Sequence, residues 1–217
     1  MVRIPAATVS LGADDGESDE RPVHEVRVEA FEIDRTEATM ADYRACVSAG
    51  ACELPEAFHE RCNARAKGKE KNPVNCVTWA KANAYCAWRG KRLPTEEEWE
   101  YGARGAHGGA YPWGNAAPQS RPCWNKAMST DGTCSVDSHP DDVSPLGVLG
   151  MAGNVSEWTS TPYCAYAGGK CKPHARVTRG GSWDMTDPSN LRSTYRDWVL
   201  ESDRGYNLGF RCARSIP

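Results

Sequence analysis

Long apolar runs are missing from this sequence. No stretch approaches the roughly 20 consecutive apolar residues that a membrane-spanning helix needs, so membrane insertion is not expected. Leu, Ile and Phe are scarce, with only three Phe in the chain, which leaves little material for long aliphatic helices packed as a bundle. Neither sign of charge dominates: 26 Lys and Arg face 29 Asp and Glu, a net charge of −3. A pI near 6.0 gives no basic surface for nucleic acid or anionic lipid. Metal-knuckle spacing is absent as well, because no two cysteines lie two to four residues apart and the five His are scattered singly. There is no nucleophile elbow and no paired-His motif. Gly105–Gly109 is not followed by the Lys-Ser/Thr of a phosphate-binding loop.

What the chain does have is eight Trp, eight Tyr, 20 Gly and 14 Pro, the composition of a loop-rich domain held by aromatic anchors and turns. Its 217 residues fit a single domain, 1–217. Ten Cys, an even number without metal spacing, point to disulfides and so to an oxidising, extracytoplasmic setting: secreted, periplasmic or cell-surface. No secretory leader precedes Ile4, which is expected of a processed chain or of one module beside other domains of a longer exported chain.

Val2–Pro5 and Ala7–Leu11 read as short strands, and residues 23–30 alternate in polarity. Three helices have recognisable starts at Thr39, Thr78 and Thr95, and the first two stop at Gly50 and Gly90. Glu98 stands at the reciprocal capping position of the third, whose acidic turn Glu96-Glu97-Glu98 complements the helix dipole. From Gly105 to Thr178 regular pattern gives way to Gly, Pro, Asp, Ser and Trp in irregular order. So long an irregular stretch needs disulfides or metals to hold it. Strand-like pieces return around 179–183, 193–198 and 208–213.

Five motifs then occur in order: Gly90-Lys91-Arg92-Leu93-Pro94-Thr95-Glu96-Glu97-Glu98-Trp99-Glu100, Tyr111-Pro112-Trp113-Gly114-Asn115, Gly153-Asn154-Val155-Ser156-Glu157-Trp158, Arg179-Gly180-Gly181-Ser182-Trp183 and Asn207-Leu208-Gly209-Phe210-Arg211-Cys212. Together they resemble the formylglycine-generating enzyme (sulfatase-modifying factor) family over nearly the whole chain. The resemblance implies an α+β fold, a variant of the C-type-lectin-like fold with little regular secondary structure, stabilised by disulfides and calcium. It also implies a disulfide between Cys86 and Cys212. Proximity pairs the remaining cysteines as Cys46–Cys52, Cys62–Cys76, Cys123–Cys134 and Cys164–Cys171.

One or two calcium ions are implied by the same resemblance. The matching ligands of the first are Asn125, the carbonyl of Lys126, Asp131 and the carbonyl of Thr133. Those of the second are the carbonyls of Gly153 and Val155 and the carboxylate of Glu157. The family usually carries Asp or Asn where this chain has Gly150. Asn154-Val155-Ser156 also spells a glycosylation sequon, whose place inside a metal loop implies that it is unused.

Active members of the family carry two cysteines after RGGS that bind copper, and a cuprous ion requires such soft thiolates. Here Trp183–Arg192 contains no Cys, and Met185 falls near the first expected position; a lone thioether does not replace two thiolates. Copper and formylglycine formation are therefore not expected. What remains is a candidate ligand groove of Ser182, Asp184, Arg196, Asp197, Trp198, Tyr206 and Asn207, with Trp198 and Tyr206 as exposed contacts. The expected function is a non-catalytic module that binds a peptide, a glycan or a small molecule. The alternative is an oxidoreductase of the same family using another metal or a partner domain.

Overall fold

Threonine hydroxyls open all three helices in the computed structural model, which describes residues 1–106, 108–125, 131–168 and 170–216. Thr39 caps α1 (Met40–Ser48) by accepting from the Asp42 N–H at 3.1 Å, and Thr78 caps α2 (Trp79–Trp88) through Lys81. Thr95 and Glu98 form the full reciprocal box that starts α3 (Glu96–Arg104). These caps stand where the sequence put them. The acidic turn of α3 does more than complement a dipole. Glu96 is buried and receives Arg196 at 2.6 and 2.9 Å, while Glu98 receives Arg92 at 2.6 Å through both oxygens.

The strands are β1 (Val2–Ile4), β2 (Ala7–Leu11), β3 (His24–Val28), β4 (Phe31–Ile33), β5 (Ser156–Pro162), β6 (Ala175–Arg179), β7 (Arg196–Leu200), β8 (Leu208–Gly209) and β9 (Ala213–Ser215). β2 and β3 form an antiparallel pair with Val9 opposite Val26. β4 lies between β1 and β9, so the two ends of the chain close one small sheet. The four-stranded sheet runs β7-β6-β5-β8, antiparallel except for the parallel β5–β8 pair.

Two sequence expectations are corrected here. β5 and most of β6 lie inside the stretch read as irregular. Glu157, Trp158 and Thr159 are all buried, so β5 shows no polar alternation to reveal it. The strand expected over 179–183 instead ends at Arg179, because Gly180 and Gly181 turn the chain at φ 94° and 67°. A Cβ on Gly181 would lie 2.4 Å from the Asn190 carbonyl, so the turn requires glycine.

The core has two parts. One, under α1 and α2, packs Tyr43, Tyr85, Trp158 and Phe210 around Cys86 and Cys212. The other packs Phe31, Ile33, Trp99 and Met151 beneath α3 and the terminal strands. All ten cysteines are paired, in the five disulfides expected: Cys46–Cys52, Cys62–Cys76, Cys86–Cys212, Cys123–Cys134 and Cys164–Cys171.

Candidate functional site

Period-two alternation along β7 divides the residues expected in one groove. Asp197 and Val199 point to one side of the sheet, with Thr178 as the register partner of Asp197. There, with Ser156, Met185 and Asn207, they line an open pocket of about 250 Å³. Arg196 and Trp198 point to the other side. Arg196 is buried against Glu96, the Cys164 carbonyl and the Tyr166 ring, and it is a structural ion-pair partner rather than a groove residue. Trp198 is exposed as expected, but it packs with Tyr163 and the Lys172 ammonium on that far side.

The remaining candidates do come together. Ser182 Oγ donates to Asp184 Oδ1 at 2.7 Å, and Asn207 Nδ2 donates to both Asp184 oxygens at 3.3 Å. Ser182 is fully buried, so its role is to hold Asp184, whereas Asn207 reaches the pocket wall. Asp197 is partly buried, and burial holds its carboxyl above the usual carboxylate range against a 2.7 Å bond from the Trp198 N–H. Tyr206 makes tilted ring contacts with Trp183 and His59 and has the Arg61 guanidinium over its ring, beside the groove rather than in it. Ser156, Thr178 and Asp203 also line the pocket and were not identified from sequence. Placing Ser156 and Thr178 needed the register of β5 and β6, in the stretch where the pattern was unreadable, and Asp203 follows the end of β7.

Met185, near the position of the first expected cysteine, lines this pocket, and its carbonyl accepts from the Asn125 N–H at 3.0 Å. The groove is thus tied to the loop where the first calcium ion was implied. In that loop Lys126 lies outside the described residues. The carbonyl of Thr133 already accepts from Asn72 at 2.7 Å and from Lys69 Nζ at 3.3 Å, and Lys69 also donates to the Asp131 carbonyl at 2.7 Å. Its described part carries a protein cation where calcium was implied. At the second place, Glu157 is clamped by Arg211 at 2.7 and 2.8 Å and by the Trp99 indole at 2.8 Å, and Gly150 offers no side chain beside the carbonyls of Gly153 and Val155. The second place thus lacks the one side-chain ligand that the family usually has at the position of Gly150.

Among the described residues one further group has metal-ligand proximity: Cys123, Cys134 and His139. Its two sulfurs are joined in a disulfide and offer no thiolate.

Asn154 of the sequon is 5 % exposed, and its amide donates to Glu37 Oε1 at 2.8 Å and accepts from the Cys134 N–H at 3.0 Å. Expression in a glycosylating host should leave Asn154 unmodified. Peptide mass mapping that found a glycan there would show that this turn is open when the modification occurs.

A family model described as the sulfatase-modifying factor enzyme 1-like domain matches residues 1–216. Over 268 residues the chain is 34% identical to the inactive C-alpha-formylglycine-generating enzyme 2 of Bos taurus, covering 98% of this chain and 87% of that protein. It is also 31% identical to the hercynine oxygenase of Mycolicibacterium thermoresistibile, over 91% of this chain and 53% of that protein. Among solved structures, PvdO from Pseudomonas aeruginosa superposes with a TM-score of 0.81 at 28% identity, covering 99% of this chain and 93% of that one. The fold is the expected variant of the C-type-lectin-like fold, and the chain belongs to the sulfatase-modifying factor, or formylglycine-generating enzyme, family.

Proposed function

We propose that this chain is a non-catalytic, ligand-binding domain of its family that works outside the cytoplasm. The observation that carries the reading is the pocket at Asn207 and Asp197, where Met185 stands near the place of a copper-binding cysteine and every cysteine of the chain is in a disulfide. A thioether and carboxylates do not make a tight cuprous site, since that ion selects thiolate pairs. The pocket can still recognise a ligand: Asn207 supplies an oriented amide, Asp197 a partly desolvated carboxyl, and Met185, Val199 and Leu208 an apolar floor. Similarity to a relative described as inactive supports the same reading. Five disulfides support an oxidising compartment.

Two measurements on the purified oxidised chain test this. In competition with a cuprous chelator the protein should take up no stoichiometric copper, and a thiol peptide should drive no oxygen consumption. Displayed peptides selected on the wild type should lose binding at least tenfold to Asn207→Ala or Asp197→Asn and keep it with Trp198→Ala. Turnover of the thiol peptide would overturn the proposal. Selection of peptides sensitive to Trp198 and indifferent to Asn207 would place recognition on the other face of the sheet.

A further inference from the structure

The Cys123–Cys134 bridge, His139 and Asn154 meet at one place in the fold. The ligand atoms of Cys123, Cys134 and His139, two sulfurs and a ring nitrogen, all lie within 4.8 Å of one another. That span suits a tetrahedral zinc site, whose bonds to nitrogen and sulfur are about 2.0–2.3 Å. In the oxidised chain the sulfurs are bonded to each other, so the group holds no metal in that state.

Two features prepare it for a metal in the reduced state. First, the cysteines are placed by more than their own bond. The Cys123 carbonyl accepts from the Asn154 N–H at 2.7 Å. Asn154 Oδ1 accepts from the Cys134 N–H at 3.0 Å, and Asn154 Nδ2 donates to the Cys134 carbonyl at 3.3 Å. Asn154 is itself buried and donates to Glu37 at 2.8 Å. Opening the S–S bond therefore leaves both sulfurs on backbone that one asparagine clamps. Second, the histidine tautomer is set. His139 Nδ1 lies 3.0 Å from the Arg121 carbonyl, which only accepts, so Nδ1 carries the proton and the lone pair is left on Nε2. A metal-ligating histidine is commonly oriented through its other nitrogen in this way. Cys134 and His139 are partly exposed and Cys123 is buried, so a reductant or a metal reaches the group from the Cys134 side.

We infer that Cys123, Cys134 and His139 form a redox-gated site for a thiolate-preferring divalent cation of the zinc class, its fourth position open to water. A dithiol opens the site. Its two thiols close to a cyclic disulfide while the Cys123–Cys134 bond takes up the two electrons and two protons. Zinc then binds both sulfurs as thiolates, and the two cysteine protons leave to solvent. None of these ligands is among the positions implied for calcium by the family resemblance, and two thiolates with an imidazole select against that oxygen-seeking ion.

Graded reduction of the full chain with tris(2-carboxyethyl)phosphine tests the inference, with free thiols mapped by alkylation and mass spectrometry. At a level that reduces Cys123–Cys134 and leaves Cys86–Cys212 closed, zinc titrated against a chromophoric chelator should bind stoichiometrically. The oxidised chain should bind none. Zinc should slow alkylation of Cys123 and Cys134 by about tenfold or more and leave Cys164 and Cys171 unprotected. Cobalt(II) in its place should give the thiolate-to-metal charge-transfer absorption of a tetrahedral sulfur site. His139→Asn keeps a donor for the Arg121 carbonyl but supplies no imidazole, and it should weaken zinc binding more than about tenfold. Cys123→Ser combined with Cys134→Ser should abolish binding. If that double variant fails to fold, His139→Asn decides by the same titration. Zinc held equally by His139→Asn, zinc that protects Cys164 and Cys171 instead, no zinc on the reduced chain, or unfolding before Cys123 is freed each overturns the inference.

Discussion

Replacing Arg179 with Met should destabilise the domain by about 3–5 kcal/mol, the range for breaking a buried ion pair from one side. Arg179 is fully buried where β6 meets the Gly180-Gly181 turn. Burial pulls its guanidinium toward the neutral form, but Glu100, Tyr166 and Glu96 outweigh this and hold it charged. Nη2 donates to Glu100 Oε2 and to the Ser193 carbonyl at 2.8 Å, and Nη1 donates to the carbonyls of Thr194 and Tyr195, each at 2.9 Å. The substitution therefore leaves three consecutive carbonyls and one carboxylate oxygen without their donor. Glu100 retains Arg104 at 2.7 Å and the Gly12 N–H at 2.9 Å, so its charge stays partly answered.

That asymmetry ranks the variants. Glu100→Gln should destabilise less than Arg179→Met, because Arg179 keeps its three carbonyls and Glu96 at 3.5 Å. The double variant should lose less than the sum of the two, since the groups share one network. Guanidinium unfolding with disulfides intact gives these differences. A loss below about 1 kcal/mol for Arg179→Met would show that water enters and rehydrates the site. The consequence for function follows from position. Ser193–Tyr195 leads directly into β7, whose Asp197 lines the pocket, so loosening these carbonyls should also weaken ligand binding at Asn207 and Asp197.

The features readable in the sequence are those set by local chemistry or by a motif. Thr95 and Glu98 cap α3 through atoms three residues apart, and Cys46–Cys52 closes across six residues. The motif in Asn207–Cys212 was enough to pair Cys212 with Cys86. Side-chain direction was harder. Arg196, Asp197 and Trp198 are neighbours in sequence, and only the register of β7 against β6 shows that Asp197 faces the pocket alone. The acidic turn of α3 looked like helix electrostatics because its partners, Arg196 and Arg179, arrive from the other end of the chain. Glu37 and Asp142 carried no sequence signal at all. Each is an ordinary acid in its own segment, and only the fold sets Glu37 in the space left by Gly150 and Asp142 beside the Ala152 N–H.

Removing the Cys86–Cys212 disulfide by double Ala substitution should be the most damaging change to any crosslink in the chain. The bond closes a sequence separation of 126, for which the chain-entropy model gives about 5 kcal/mol, against about 2 kcal/mol for the separation of six at Cys46–Cys52. Packing adds to this. Both sulfurs sit at 0 % exposure in the cluster of Tyr43, Tyr85, Trp158 and Phe210, so truncation also opens a void there. The bond fastens α2 to the residue just before β9, and the Arg92 N–H bonds the Ala213 carbonyl at 2.9 Å beside it. Losing it frees the strand that closes the terminal sheet onto β4. A loss of about 5 kcal/mol, before the void is counted, is from about a third to all of the stability of an ordinary domain. The double variant should therefore be recovered largely unfolded or protease-sensitive at 37 °C, whereas Cys164→Ala with Cys171→Ala, at a more exposed bridge, should fold. Stepwise reduction checks the same order without mutation. Mass spectrometry after graded dithiothreitol and alkylation should find Cys164 and Cys171 labelled first and Cys86 and Cys212 last, together with global unfolding. Early labelling of Cys86 in a chain that still melts cooperatively would show that the bridge is dispensable to the core.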